Sequence, residues 1–85
     1  MESYKILVIR FSSIGDIVLT TPIVRALKQQ LKNVEIHYLT KKTNYSLLQN
    51  NKYIDKIHLL EDADLYSKLR KNKFDYIVDL HNNLR

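Results

Sequence analysis

The chain has 85 residues, 45% hydrophobic and 27% charged, with a formal net charge of +5 and no cysteine. That length allows one small domain burying about 60–65% of its unfolded surface, and the composition is that of a soluble globular protein, not a disordered tail. The absence of cysteine excludes disulfides and zinc–thiolate sites and suits a reducing compartment, while the charge favours anionic partners such as a phosphorylated ligand, a membrane face or nucleic acid.

No apolar run reaches the ~18–20 residues that span a bilayer, and the N-terminus lacks a signal-peptide pattern. After the lead-in Met1–Tyr4, Ile6-Leu7-Val8-Ile9 is a short, nearly continuous apolar run bounded by Arg10. Such a run fits a strand covered on both faces, as in a parallel sheet. Phe11-Ser12-Ser13-Ile14-Gly15-Asp16 is a polar turn holding the only glycine of the chain. Ser12 or Ser13 can cap the helix that follows, and Ser13-x-x-Asp16 is close to a capping box. The ordinary reading of Asp16 is an acid placed at the positive end of a helix dipole.

Ile17 to Leu31 reads as a helix interrupted by Pro22, which inside a helix costs roughly 3 kcal/mol. Two readings survive. Either the helix starts at Gly15 or Asp16 and kinks at Pro22, or a new helix starts with Thr21 as its cap and Pro22 in its first turn. The kinked helix is the preferred expectation. Ile23, Leu27 and Leu31, with Val24 beside them, form the stripe expected to pack on the sheet. Val34–Thr40 alternates as a second strand, with His37 on its polar side and hence expected at the surface. Lys41–Asn51 holds a short helix, capped by Thr43 or Asn44 and packed through Tyr45, Leu47 and Leu48. Ile57–Leu60 is a third strand. Acids Glu61, Asp62 and Asp64 precede a helix over Leu65–Lys71 that ends in bases, which suits the dipole at both ends. The run Lys68, Arg70, Lys71, Lys73 therefore reads as a solvated helix end before it reads as a contact to phosphate or lipid. Phe74–Leu80 is a fourth strand, followed by His81-Asn82-Asn83-Leu84-Arg85.

Strands alternating with helices predict an α/β, Rossmann-like parallel sheet in the order 3-2-1-4 with flanking helices. Strands 1 and 4 are then neighbours, so the loops leaving them face each other. One carries Ser12, Ser13, Gly15 and Asp16, the other His81, Asn82, Asn83 and Arg85. Topology alone gives a crevice with a carboxylate, hydroxyls, amides and a cation, suited to a polyhydroxylated ligand. No metal constellation is visible in the sequence.

Ser12-Ser13-Ile14-Gly15-Asp16-Ile17-Val18, with Thr20-Thr21-Pro22 and Leu27-Lys28, resembles the N-terminal signature of the glycosyltransferase family 9 heptosyltransferases. Asn51-Lys52-Tyr53-Ile54-Asp55 is similar to the family's Asn-Pro-Tyr-Ile-Asp turn, with Lys52 in the proline position. Asp79-Leu80-His81-Asn82-Asn83 departs from the family's Asp-x-Gln-Gly. The resemblance implies a two-domain GT-B enzyme, residues 1–85 being the opening part of the acceptor-side domain and the nucleotide-sugar domain being absent. It implies an inverting transfer from a nucleotide diphosphate donor, ADP-heptose or a related nucleotide sugar, to a lipopolysaccharide-type glycolipid, with no other cofactor. Asp16 would be the general base, with Ser12, Ser13, Gly15, His81, Asn82, Asn83 and Arg85 contacting the acceptor. Gly15 would let backbone approach substrate, and helix N–H groups near Ser13 and Gly15 would suit an anionic group. A cytoplasmic location, peripheral contact with the inner membrane face, inactivity of the segment alone and its self-association through an exposed sheet edge complete the expectation.

Two rival readings have less support in the sequence. A dinucleotide-binding domain needs G-x-G-x-x-G, which one glycine cannot supply. A non-catalytic basic module for anionic ligands or nucleic acid has the charge, but its six tyrosines are scattered rather than gathered into a stacking platform. Nucleic acid is therefore not an expected partner.

Overall fold

In the computed structural model, which describes residues 3–80, the apolar run forms β1 (Tyr4–Ile9). A strand buried on both faces needs backbone partners along both edges. β1 has β2 (Val34–Thr40) on one side and β4 (Tyr76–Asp79) on the other. β3 (Lys56–Leu59) pairs outside β2, and the parallel sheet runs β3-β2-β1-β4, as the alternation of elements predicted. The register sets Ile6 opposite Ile36 and Tyr76, and Val8 opposite Tyr38 and Val78. The helices are α1 (Ile14–Leu19), α2 (Thr21–Gln30), α3 (Tyr45–Leu48, after a 3₁₀ turn at Lys42–Asn44) and α4 (Leu65–Asn72). Among the described residues no helix is long and apolar enough to cross a membrane.

One sheet face makes the core, where Ile6, Val8, Val34, Ile36 and Tyr38 meet Ile17, Val24 and Leu48. Each such aliphatic side chain contributes about 1.5–3 kcal/mol on full burial. The kinked helix is not what forms. α1 stops at Leu19 and α2 starts at Thr21, so Pro22 stands in a first turn, where its missing N–H breaks no bond. The joint is Thr20, one residue before the expected cap. Its carbonyl accepts the Val24 amide (3.1 Å), and its hydroxyl donates to Ile17 O (2.6 Å) and meets the Tyr38 hydroxyl (2.7 Å). The buried line is therefore Ile17, Thr20 and Val24, with Leu27 partly buried. Ile23 and Leu31, expected in the stripe, are 42% and 40% exposed. Likewise only Leu48 of α3 enters the core, while Tyr45 and Leu47 stay exposed.

His37 is the larger correction. It was expected at the surface, and it is fully buried. The polar side of β2 is the second face of an inner strand, so solvent does not reach it. There the His37 ring stacks on His58 (centroids 5.0 Å apart) and meets the edge of Phe74 (4.9 Å). Its Nε2 lies 2.6 Å from Glu35 Oε2 and its Nδ1 lies 2.7 Å from His58 Nε2. With neutral rings, His37 donates to Glu35 and accepts from His58. The hydrogen bond from His37 holds the Glu35 carboxyl below its ordinary 4.5.

β3 and β4 begin with the same device. Asp55 donates its amide to Ile36 O (2.8 Å) and takes the Ile36 amide on Oδ2 (2.7 Å). Asp75 does the same with Lys5 O (2.9 Å) and the Lys5 amide (2.8 Å). Lys28 Nζ closes the first device, 2.6 Å from both Asp55 Oδ2 and Val34 O. Asp55→Ala leaves the Ile36 amide without its acceptor and Lys28 with Val34 O but no carboxylate. It should lower stability by about 1–3 kcal/mol in urea unfolding, whereas Asp55→Asn, which keeps an acceptor oxygen, should lose less. Equal stability of Asp55→Ala and wild type would remove this role.

Burial, then the neighbouring His37, Lys68 and Lys56, against the opposing Asp62, push His58 below its ordinary 6.5. The folded state therefore binds fewer protons than the unfolded chain. Stability is full above about pH 6.5 and is lost as pH falls through the lower folded value. Urea midpoints should drop between pH 7.5 and 5.5, and His58→Gln should flatten that dependence. Identical slopes for the variant and wild type would show that another group is responsible.

Candidate functional site

The strand order brings the ends of β1 and β4 together. Leu80 donates its amide to Ile9 O (3.0 Å), and Arg10, the next residue on β1, donates its own to Leu39 O (3.2 Å). Arg10 is only 6% exposed, and a charge so buried persists only where it is paired and hydrogen-bonded. One guanidinium nitrogen, Nη1, donates to Leu80 O (3.0 Å). The other, Nη2, lies 2.7 Å from Asp16 Oδ2. Among the described residues Nε has no acceptor.

Asp16 sits in the first turn of α1 with its side chain 42% exposed. Ser13 Oγ (2.9 Å) and the Ser13 amide (3.4 Å) both donate to Oδ2, the same oxygen that meets Arg10. Oδ1 takes part in none of these bonds. The Ser13 hydroxyl, then the Ser13 amide, then Arg10 hold the Asp16 carboxyl below its ordinary 3.8. An aspartate of ordinary pKa is ionised at neutral pH and is a weak base unless partly desolvated. The structure stabilises the ionised form further and leaves it in contact with solvent.

Two buried contacts brace the loop before α1. Asn44, expected only as a helix cap, is 4% exposed, and its amide donates to Phe11 O (2.8 Å) and Thr40 Oγ1 (3.1 Å). The Thr20–Tyr38 hydroxyl pair fixes the other end of α1 to β2. Burial pushes the Tyr38 phenol above its ordinary 10.0.

Of the expected site residues, the structure brings Ser13 and Asp16 into contact and leaves Ser12 and Gly15 exposed beside them. His81, Asn82, Asn83 and Arg85 lie outside the described residues. Sequence reasoning missed Arg10 and the buried use of Asn44. The available signal was a lone arginine closing an apolar strand at the end where parallel sheets place their ligands.

What this assembles is a four-stranded parallel α/β sheet with an anchored carboxylate at the carboxyl end of an inner strand. The comparisons with known proteins point to one class. No protein-family model matches the chain. The sequence is 31% identical over 84 residues to lipopolysaccharide heptosyltransferase 1 of Campylobacter coli, the match covering 89% of this chain and 25% of that protein. The fold is similar to that of the glycosyl transferase family 9 protein from Veillonella parvula DSM 2008, with TM-score 0.82 and 21% identity over 95% of this chain and 27% of that one. The chain thus spans about a quarter of the length of each. The resemblance to family 9 glycosyltransferases carried by Ser12 to Pro22 is borne out in both sequence and fold.

Gly15 has a helical position, no positive φ, and no atom within 4 Å of where a Cβ would stand. Neither the turn nor packing requires a glycine there. Gly15→Ala should therefore raise stability by roughly 0.5–1 kcal/mol through helix propensity, read as a higher urea midpoint. A lower midpoint would mean that the fold itself needs this glycine.

Proposed function

We propose that this chain is the opening part of the acceptor-side domain of an inverting, heptosyltransferase-like glycosyltransferase, with Asp16 as the general base. The observation that carries the reading is a carboxylate anchored through one oxygen at the carboxyl end of β1, beside the end of β4. Its other oxygen, Oδ1, is the one available to a ligand. As the acceptor hydroxyl oxygen forms its bond to the anomeric carbon, its proton passes to Oδ1. The bond from that carbon to the diphosphate breaks, and its electron pair leaves with the nucleotide diphosphate. A carboxylate of low proton affinity suits a late transfer, since the attacking hydroxyl becomes acidic only as the new bond forms.

The donor in this reading is ADP-heptose or a related nucleotide sugar, held by a separate domain. The acceptor is a lipopolysaccharide-type glycolipid reached at the inner membrane face, contacted by Ser12, Ser13, Gly15 and the loop bearing His81, Asn82, Asn83 and Arg85. The match to a relative named as a lipopolysaccharide heptosyltransferase supports that chemistry. The 85-residue chain alone is read as inactive.

In the complete two-domain protein, Asp16→Asn should reduce transfer by at least about a hundredfold with donor affinity unchanged, while the unfolding midpoint falls because buried Arg10 loses its carboxylate partner. In wild type, the acid limb of kcat/KM should lie below 3.8, since activity is lost only as pH falls through a lowered carboxyl pKa. Full activity of Asp16→Asn in a radiolabelled sugar-transfer assay would end the assignment.

A further inference from the structure

Asp16 is held in two ways, and they are not equivalent. Ser13 is three residues away on the same loop, so its two bonds move with whatever the loop does. Arg10 is fixed independently. Its backbone amide is bonded to β2 at Leu39, its Nη1 to β4 at Leu80, and its side chain is buried. The planar guanidinium presents its donors in a rigid fork, so the nitrogen at Asp16 is located by the sheet and not by the loop.

We propose that Arg10 is a positioning residue for the transfer step: its buried guanidinium ties the end of β4 to Oδ2 of Asp16 and so presents Oδ1 to the acceptor hydroxyl. The proposal rests on Asp16 being the base of the reading above. An arginine beside a base lowers its proton affinity, so the pairing works against basicity. What it supplies is orientation, and displacing a reacting group by about 1 Å can cost a hundredfold in rate. A side chain that is 42% exposed, at the start of a six-residue helix, would otherwise sample several rotamers. Among the described residues, the charged groups on the segments at this end of the sheet besides Arg10 and Asp16 are Asp79 on β4, Lys41 and Lys42 after β2, and Glu61, Asp62 and Asp64 after β3.

The test compares Arg10→Met and Arg10→Lys in the complete transferase, reading kcat, KM for acceptor and the pH profile, with thermal unfolding recorded alongside. Arg10→Met should lower kcat about tenfold or more with KM within about twofold. Its acid limb should move to higher pH, because one cause of the low Asp16 pKa is gone while the Ser13 bonds persist. Arg10→Lys should restore the acid limb, since the charge returns, but only part of kcat, since one nitrogen replaces the fork. A folded Arg10→Met enzyme with wild-type kcat and an unmoved acid limb overturns the proposal. Where that variant fails to fold, Arg10→Lys with wild-type kcat overturns it equally. Loss of transfer in Asp16→Asn beside a wild-type Arg10→Met removes the role of Arg10 alone, whereas full transfer in Asp16→Asn removes the base assignment itself.

Discussion

The burial of β1 on both faces and along both edges is the constraint on which the other elements depend. An apolar strand in that position must give every backbone amide and carbonyl to a neighbouring strand. β2 and β4 meet that need although they lie on opposite sides of β1 and far apart in sequence. The Asp55 and Asp75 devices start the two outer strands in register by offering the same neighbouring residue both a donor and an acceptor. The sheet is thus aligned at the amino ends of its outer strands, and the Arg10–Asp16 pair falls at the carboxyl end of β1.

There the same constraint creates a difficulty and uses it. The chain must leave β1 through a polar loop, and its first residue, Arg10, is still inside. The buried guanidinium has to find acceptors, and among the described residues it finds the Leu80 carbonyl just after β4 and the acid of the first helical turn. Satisfying one charge therefore joins the two strand ends that topology had already made neighbours. An acid that would serve only as a helix cap becomes a carboxylate whose Oδ2, among the described residues, takes all the bonds that anchor it. The fold resembles that of a family 9 glycosyltransferase, and the proposed base stands at this junction.

The second face of the sheet follows another logic. β2 places His37 and Leu39 on the side away from the main core, and Leu7 joins them from β1. The histidines are accommodated because His37, His58 and Glu35 satisfy one another and Phe74 closes over both rings. Burial of His58, with His37, Lys68 and Lys56 near it, disfavours an added proton on that ring, so this face ties the stability of the sheet to neutral pH.

The strands, their parallel order and the stretch carrying Ser13, Gly15 and Asp16 were legible in the chain itself. Apolar runs of strand length alternating with helical segments leave few other arrangements, and a serine–glycine–aspartate turn after the first strand is a local pattern. Which side chains are buried was not local. Val24 rather than Ile23 faces the sheet because the helix breaks at Thr20 and re-sets its axis around Pro22. His37 is inside because β2 is an inner strand covered on its second face. Arg10 matters because a strand 70 residues later supplies the carbonyl that holds it. The sequence by itself determined the order of the elements and the residues of the β1–α1 loop, since both rest on short-range periodicity and turn chemistry. Only the tertiary structure decided which polar groups lose water and must find each other, because that depends on neighbours brought together by the closing of the sheet.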